Sequence, residues 1–216
     1  MIELLLKAIV TGLILSVMLG PAFFLLLETS IKKGIRAALA FDAGVLISDV
    51  IYIIIAYVFI QQVEELSRGG DNALIRAIGG VLFLVYGYIT FFKKVGKIEV
   101  KKTRGKTAGS KDYWILFLKG LFLNLANPLV IFYWFSVMAL GHSGTANPLS
   151  GFEMFIYLIM ILFTFFTIDV LKIVGAKKLR PFITVTLLRS LNRITGSILM
   201  GFGFFLVVNS LVMWLR

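Results

Sequence analysis

From Ala8 to Leu27 twenty consecutive residues carry no charge, about the length one helix needs to cross a hydrocarbon layer of about 30 Å. Five more apolar runs follow, and together they predict membrane-spanning helices near 4–27, 39–60, 74–92, 114–140, 152–175 and 193–214. The third run is short, and the fifth carries Asp169 and Lys172. Because the runs are continuously apolar instead of alternating, they argue against the strands of a membrane barrel. The pattern predicts an all-α polytopic membrane protein with six transmembrane helices.

Composition agrees with that reading: 59% of the 216 residues are hydrophobic and the mean hydropathy is +0.97, too apolar for a soluble domain of this length. The first run is too long for the apolar core of a cleaved signal peptide and lacks a small-residue cleavage site, so it is expected to stay as helix 1. With no cysteine in the chain, disulfides, thiolate metal sites and Cys nucleophiles are excluded.

The net charge of +11 raises the question of nucleic acid, but the basic residues cluster in the loops after helices 1, 3 and 5. Those loops hold sixteen of them, against four on the opposite side. By the positive-inside rule the sixteen face the cytoplasm, which puts both termini outside, in the periplasm of a bacterial inner membrane. The basic loop 93–113 reads as a topology determinant that touches anionic lipid, and no nucleic-acid partner is expected.

Two segments repeat. GLILSVMLGPAFF from Gly12 and GLFLNLANPLVIF from Gly120 align with one gap, as do RAIGGVLFLVYG from Arg76 and RITGSILMGFG from Arg193. Between them, helices 2 and 5 each carry a lone carboxylate, Asp49 and Asp169. Residues 1–92 therefore read as one three-helix repeat and 114–216 as a second. An odd number of spans forces the second copy to enter from the opposite face, giving two inverted three-helix repeats, an arrangement of secondary transporters.

Proline inside a span removes a backbone donor and clashes with the preceding turn. The freed polar groups are tolerated in mid-membrane only beside protein or a watery cavity. Gly20-Pro21 in helix 1 and Asn127-Pro128 in helix 4 are thus expected to break two helices at matching points, where exposed amides and carbonyls can bind the charged ends of a zwitterion. The competing reading is a pair of packing kinks.

An ionised Asp in mid-span costs about 2.5 to 3.5 kcal/mol on insertion scales, so Asp49 and Asp169 are the leading substrate-binding or coupling residues. Asp42 lies two turns, about 10 Å, before Asp49 on a similar face, and Lys172 follows Asp169 by three residues, close enough to pair. Lys172 could instead snorkel to the interface. Asp49 has no basic neighbour in sequence and must be protonated, paired across helices or facing water. Asn124 and Asn127 can bind a ligand or bridge helices. Glu28 reads as an interfacial partner of Lys32 or Lys33. Gly79, Gly80, Gly87, Gly196, Gly201 and Gly203 read as helix-packing positions. Tyr52, Tyr57, Tyr86, Tyr133 and Trp134 read as belt or packing residues. His142 stands alone in an outer loop with no zinc-like partner. Neither a phosphate loop nor a nucleophile elbow occurs, so no enzyme activity, cofactor or resident metal is expected.

The stretch LGPAFFLLLETSIKKGIRAALAFDAGVLISD together with GLFLNLANPLVIFYW resembles the lysine exporter superfamily (LysE/RhtB), six-helix inner-membrane exporters of amino acids and related metabolites. Gly20 and Pro21 match the end of that family's Pro-Gly-Pro motif, Gly34 and Arg36 its glycine-arginine turn, Gly44 and Asp49 its helix 2 motif, and Asn127-Pro128 its helix 4 motif. Leu19 replaces the first proline, Ala22 an often polar residue and Ser48 a glycine, while Asp42 is an added acid. The resemblance implies export without naming the cargo.

The sequence thus points to an exporter of an amino acid or similar small metabolite, working by alternating access and coupled to protons. Broken backbone at the two prolines would hold the cargo's carboxylate and amine, and Asp49 and Asp169 would balance its cation or carry the proton. The alternatives are a divalent metal-cation exporter, since carboxylates suit hard cations, and a non-transporting membrane scaffold. Membrane lipid is an expected partner, and the glycine-rich faces of helices 3 and 6 would permit a homodimer.

Overall fold

The computed structural model describes residues 1–17, 21–68, 73–93, 110–142, 149–179 and 184–214. Among them the chain is helical, with eight helices and no strand: α1 (Ile2–Val17), α2 (Pro21–Lys33), α3 (Ile35–Arg68), α4 (Ala73–Phe91), α5 (Ser110–Leu125), α6 (Pro128–His142), α7 (Gly151–Leu179) and α8 (Val185–Trp214). Three of these are apolar and long enough to cross a membrane alone, over Ile35–Phe59, Gly151–Leu179 and Arg189–Val212. Two bent pairs join them, α1 with α2 at 75° and α5 with α6 at 68°, and α4 supplies a shorter apolar stretch, Ala77–Phe91. The protein is a multi-pass membrane protein.

The expected first and fourth helices are each two helices. Pro21 and Pro128 are the first residues of α2 and α6, the position where a missing N–H removes no intrahelical bond. The prolines therefore start a second helix instead of kinking one that continues. Asn127 caps α6, its side-chain oxygen accepting from the Leu129 amide at 3.2 Å.

Helix ends also differ from expectation. Lys177 and Lys178 lie in the last turn of α7, and Arg189 and Arg193 lie on α8, where a loop was expected. Basic side chains at a helix end that projects past the apolar layer stay solvated without ending the helix. Ser150 and Glu153 open α7 as a capping box: Glu153 Oε2 accepts from the Ser150 amide at 3.0 Å, and the Glu153 amide donates to Ser150 Oγ at 3.3 Å. Gly34 ends α2 at φ 90°, a left-handed conformation suited to glycine.

The chain packs as two compact units. The first, residues 1–60 and 101–180, holds α1, α2, most of α3, α5, α6 and α7, with α1 and α2 packed on α7 and α5 on α2 and α6. Its tightest seam is α3 against α5: a Cβ on Gly44 would lie 1.9 Å from the Phe117 carbonyl oxygen, and one on Gly120 would lie 2.0 Å from that of Phe41. Gly12 brings α1 nearly as close to α7, 2.7 Å from the Ile161 oxygen by the same measure.

In the second unit, residues 61–100 and 181–216, α4 and α8 pack on each other. Gly80 meets Gly203, and Gly87 meets Gly196, backbone to backbone. Those four glycines are therefore used within the chain, not left free for a second copy. Gly79 and Gly201, expected to pack in the same way, have nothing within 4 Å of where a Cβ would stand. They lie off the seam because only one face of each helix meets the other.

Candidate functional site

Unit 1 carries part of its charge inside. Asp42 and Asp49 on α3 and Asp169 on α7 are 0%, 1% and 5% exposed, and all three line a cavity of about 40 Å³. Asn124, Asn127, Ser16 and Lys172 add polar groups to its wall, and Phe23, Phe41 and Phe165 add aromatic ones. A cavity of that size holds a few waters and is far below the 300 Å³ or so of a ligand pocket, so this conformation leaves no room for a bound cargo.

Asp49 is paired across helices. Its Oδ1 accepts from Asn124 Nδ2 on α5 and from Trp134 Nε1 on α6, each at 3.0 Å. Ser48 buttresses the first contact: its Oγ accepts from Asn124 Nδ2 at 2.7 Å and donates to the Val45 carbonyl at 2.6 Å. The Oδ2 of Asp49 has no hydrogen-bond partner among the described residues. Asn124 thus serves as interhelical glue and as a wall of the cavity at once.

Asp169 pairs with Lys172, whose Nζ donates to Oδ1 at 2.6 Å. The same ammonium donates to the Ser16 carbonyl in the last turn of α1 and stands 5.4 Å from the centre of the Phe23 ring on α2. Lys172 is therefore turned inward, with its side chain 14% exposed, and does not snorkel.

Asp42 differs from the other two acids. It faces the Asp169 carboxyl, and neither of its oxygens receives an N–H or hydroxyl donor among the described residues. Two carboxylates can bond each other only through a shared proton, and a cation between them would serve equally. Fully ionised, three buried acids and one buried lysine would leave two negative charges uncompensated, which two bound protons, or a proton and an ammonium, would remove.

Of the residues singled out from sequence, Asp42, Asp49, Asp169, Lys172, Asn124 and Asn127 meet around this cavity. Pro128 and Pro21 start the helices beside it, the Pro21 side chain and all of Gly20 lying outside the described residues. Glu28 pairs with Lys32 at 2.5 Å as expected of an interfacial pair. Sequence reasoning missed Trp134 and Phe23. Trp134 was assigned to the belt or to packing; it is fully buried and donates to Asp49. Its position six residues after Pro128, less than two turns into a broken helix, was the one available signal. Tyr52 and Tyr133 are likewise internal donors, to the Leu125 and Thr11 carbonyls, whereas Tyr57 is 65% exposed.

These features define a multi-pass helical membrane protein with a small, acid-lined cavity where two helices break. The LysE type translocator family model matches residues 13–210, and the chain belongs to that family of transporters. Over 201 residues, 93% of each chain, it is 28% identical to a protein of Bacillus subtilis (strain 168) named "Putative amino acid efflux protein YcgF". No solved structure matches it.

Proposed function

We propose that this translocator exports an amino acid or similar small metabolite across the inner membrane, in exchange for protons, by alternating access between two inverted halves. The observation that carries the reading is Asp42: a carboxyl with no exposed surface and no N–H or hydroxyl donor on either oxygen among the described residues, facing another carboxyl, Asp169, at the wall of a cavity. Such a group costs several kcal/mol unless something binds it for part of a cycle. A cargo ammonium or the coupling proton would do so, and the relative's printed name favours an amino acid.

Matched contacts in unit 1 support the inverted halves. Gly12 packs on Ile161 and Thr164, and Gly120 on Phe41 and Val45. Gly120 is the aligned counterpart of Gly12, and Ile161 follows Phe41 by 120 residues, the same interval that separates Asp169 from Asp49. One long helix thus meets each broken one at an equivalent place. In the cycle, Asn127 and the start of α6 would hold the cargo carboxylate, Asp42 and Asp169 its amine or the proton, and motion at the two breaks would open the cavity to either side. The termini would face the periplasm, as the basic residues at the ends of α2 and α7 favour.

The test is efflux from preloaded proteoliposomes with a pool of amino acids and divalent cations, with and without a pH gradient. Gradient-dependent loss of one amino acid is expected. Loss of a metal alone would replace the cargo, and no flux from folded protein would leave a scaffold.

A further inference from the structure

Lys172 is held more fully than an ion pair requires. Its ammonium meets three different kinds of cation partner: the Asp169 carboxylate, the Ser16 carbonyl and the Phe23 ring. The carbonyl belongs to the last turn of α1, where four backbone oxygens lack intrahelical donors and the helix dipole is negative. An aromatic face near a desolvated ammonium adds attraction of its own. Half-helix ends inside membranes are places where transporters bind free cations, and this one, with its carboxylate and ring, has the donor set for a small monovalent cation.

The opposite break shows that capping alone does not call for a charge. Tyr52 stands three residues after Asp49 as Lys172 stands three after Asp169, and Tyr52 precedes Lys172 by 120 residues. The Tyr52 hydroxyl donates to the Leu125 carbonyl at the end of α5, as Lys172 does to Ser16 at the end of α1. A neutral phenol is enough to satisfy one helix end. At the other, the chain has placed a cation.

We propose that the ammonium of Lys172 fills a monovalent-cation site formed by the end of α1, Asp169 and Phe23, taking covalently the place of a free ion, so that the protein works without bound sodium or potassium. The inference rests on the exporter reading for its mechanistic meaning but not for its test. Shortening Lys172 should leave the site vacant and able to take a small cation from solution, with Asp169 and the neighbouring Asp42 as the charges left uncompensated.

The experiment is thermal unfolding of the full-length Lys172→Ala protein in detergent, titrated with methylammonium, sodium and potassium chlorides. Choline chloride at matched ionic strength controls for salt. The expected result is a lowered Tm that at least one small cation raises saturably at millimolar concentration, with no such response in the wild type or in Phe23→Leu carrying native Lys172. Equal responses of Lys172→Ala to every salt including choline would overturn the proposal. If Lys172→Ala does not fold, the same titration on Lys172→Gln, which keeps a donor for the Ser16 carbonyl, decides it by the same criterion. Where efflux is measurable, Lys172→Ala should lose at least ten-fold in rate and regain it with the cation that stabilises it. A silent wild type in that assay bears on the exporter reading alone.

Discussion

Replacing Gly44 or Gly120 with alanine tests the seam that sets the site. The added methyl at Gly44 would lie 1.9 Å from the Phe117 oxygen, so α3 and α5 must part by at least 1.1 Å to reach the 3.0 Å below which such contacts are essentially never seen. Both obstructing groups are helix backbone, which cannot swing aside, so the penalty falls at the upper end of overpacking, about 3 kcal/mol. Alanine returns about 1 kcal/mol of helix propensity. A net loss of about 2 kcal/mol corresponds to a fall in Tm of roughly 4–8 °C for a chain of this size. The same displacement would stretch the 3.0 Å bond between Asn124 and Asp49 beyond hydrogen-bonding range, so efflux should fall with stability. Thermal unfolding in detergent, with Gly79→Ala and Gly201→Ala as controls, reads the first effect. Those two positions face open space and should match or exceed wild type. Refutation would be a Gly44→Ala protein as stable as wild type, or controls that suffer equally.

Three further outcomes follow from the site and the turns. Asp49→Asn keeps an oxygen for Asn124 and Trp134 to bond, so the protein should insert and fold normally while proteoliposome efflux is abolished; wild-type flux would remove Asp49 from the mechanism. Trp134→Phe should cost up to about 1.7 kcal/mol, the upper range for polar contacts between membrane helices, and a double-mutant cycle with Asp49→Leu should show that the loss depends on the acid. Gly34→Ala meets no atom within 4 Å yet must adopt φ 90°, so it should lower stability by about 1–2 kcal/mol from backbone strain alone, as measured by Tm, whereas a merely steric account predicts no change.

The apolar runs made the helical membrane class legible, because lipid imposes a length on each span: three helices are long and apolar enough to cross alone, and two bent pairs join them. The breaks were legible too, since Pro21 and Pro128 each follow a helix-weakening residue, Gly20 or Asn127, inside an apolar run. What the runs concealed was direction: a proline that starts a new helix and one that bends an old helix leave the same trace in sequence, and the cap at Asn127 distinguishes them only in space. The acids announced themselves by cost, but their partners did not. Trp134 reads as apolar bulk in any hydropathy profile, and its single N–H matters only because α6 turns it toward α3. The capping box at Ser150 and Glu153 was readable and went unused, masked by the apolar run that follows. Helix ends were misplaced where basic residues stay helical beyond the apolar layer, as at Lys177 and Lys178.

The two breaks also differ in a way that bears on how the cavity could favour one direction of transport. At the α5 end the donors to Asp49 are neutral, an amide and an indole, and the carbonyl is capped by the Tyr52 phenol. At the α1 end the acid and the carbonyl share one ammonium. On the inverted-repeat reading these are equivalent positions that have diverged, and a cycle that exchanges the environments of the two halves then passes between unequal states. A cargo ammonium arriving between Asp42 and Asp169 would have to share the latter with Lys172. Repulsion between the two cations would be weakest where Lys172 can stay on the Ser16 carbonyl and the Phe23 ring alone. On that reading the arrangement would couple occupancy of the cavity to the contact that holds α1 against α7, through a residue whose counterpart across the proposed repeat, Tyr52, has no charge to contribute.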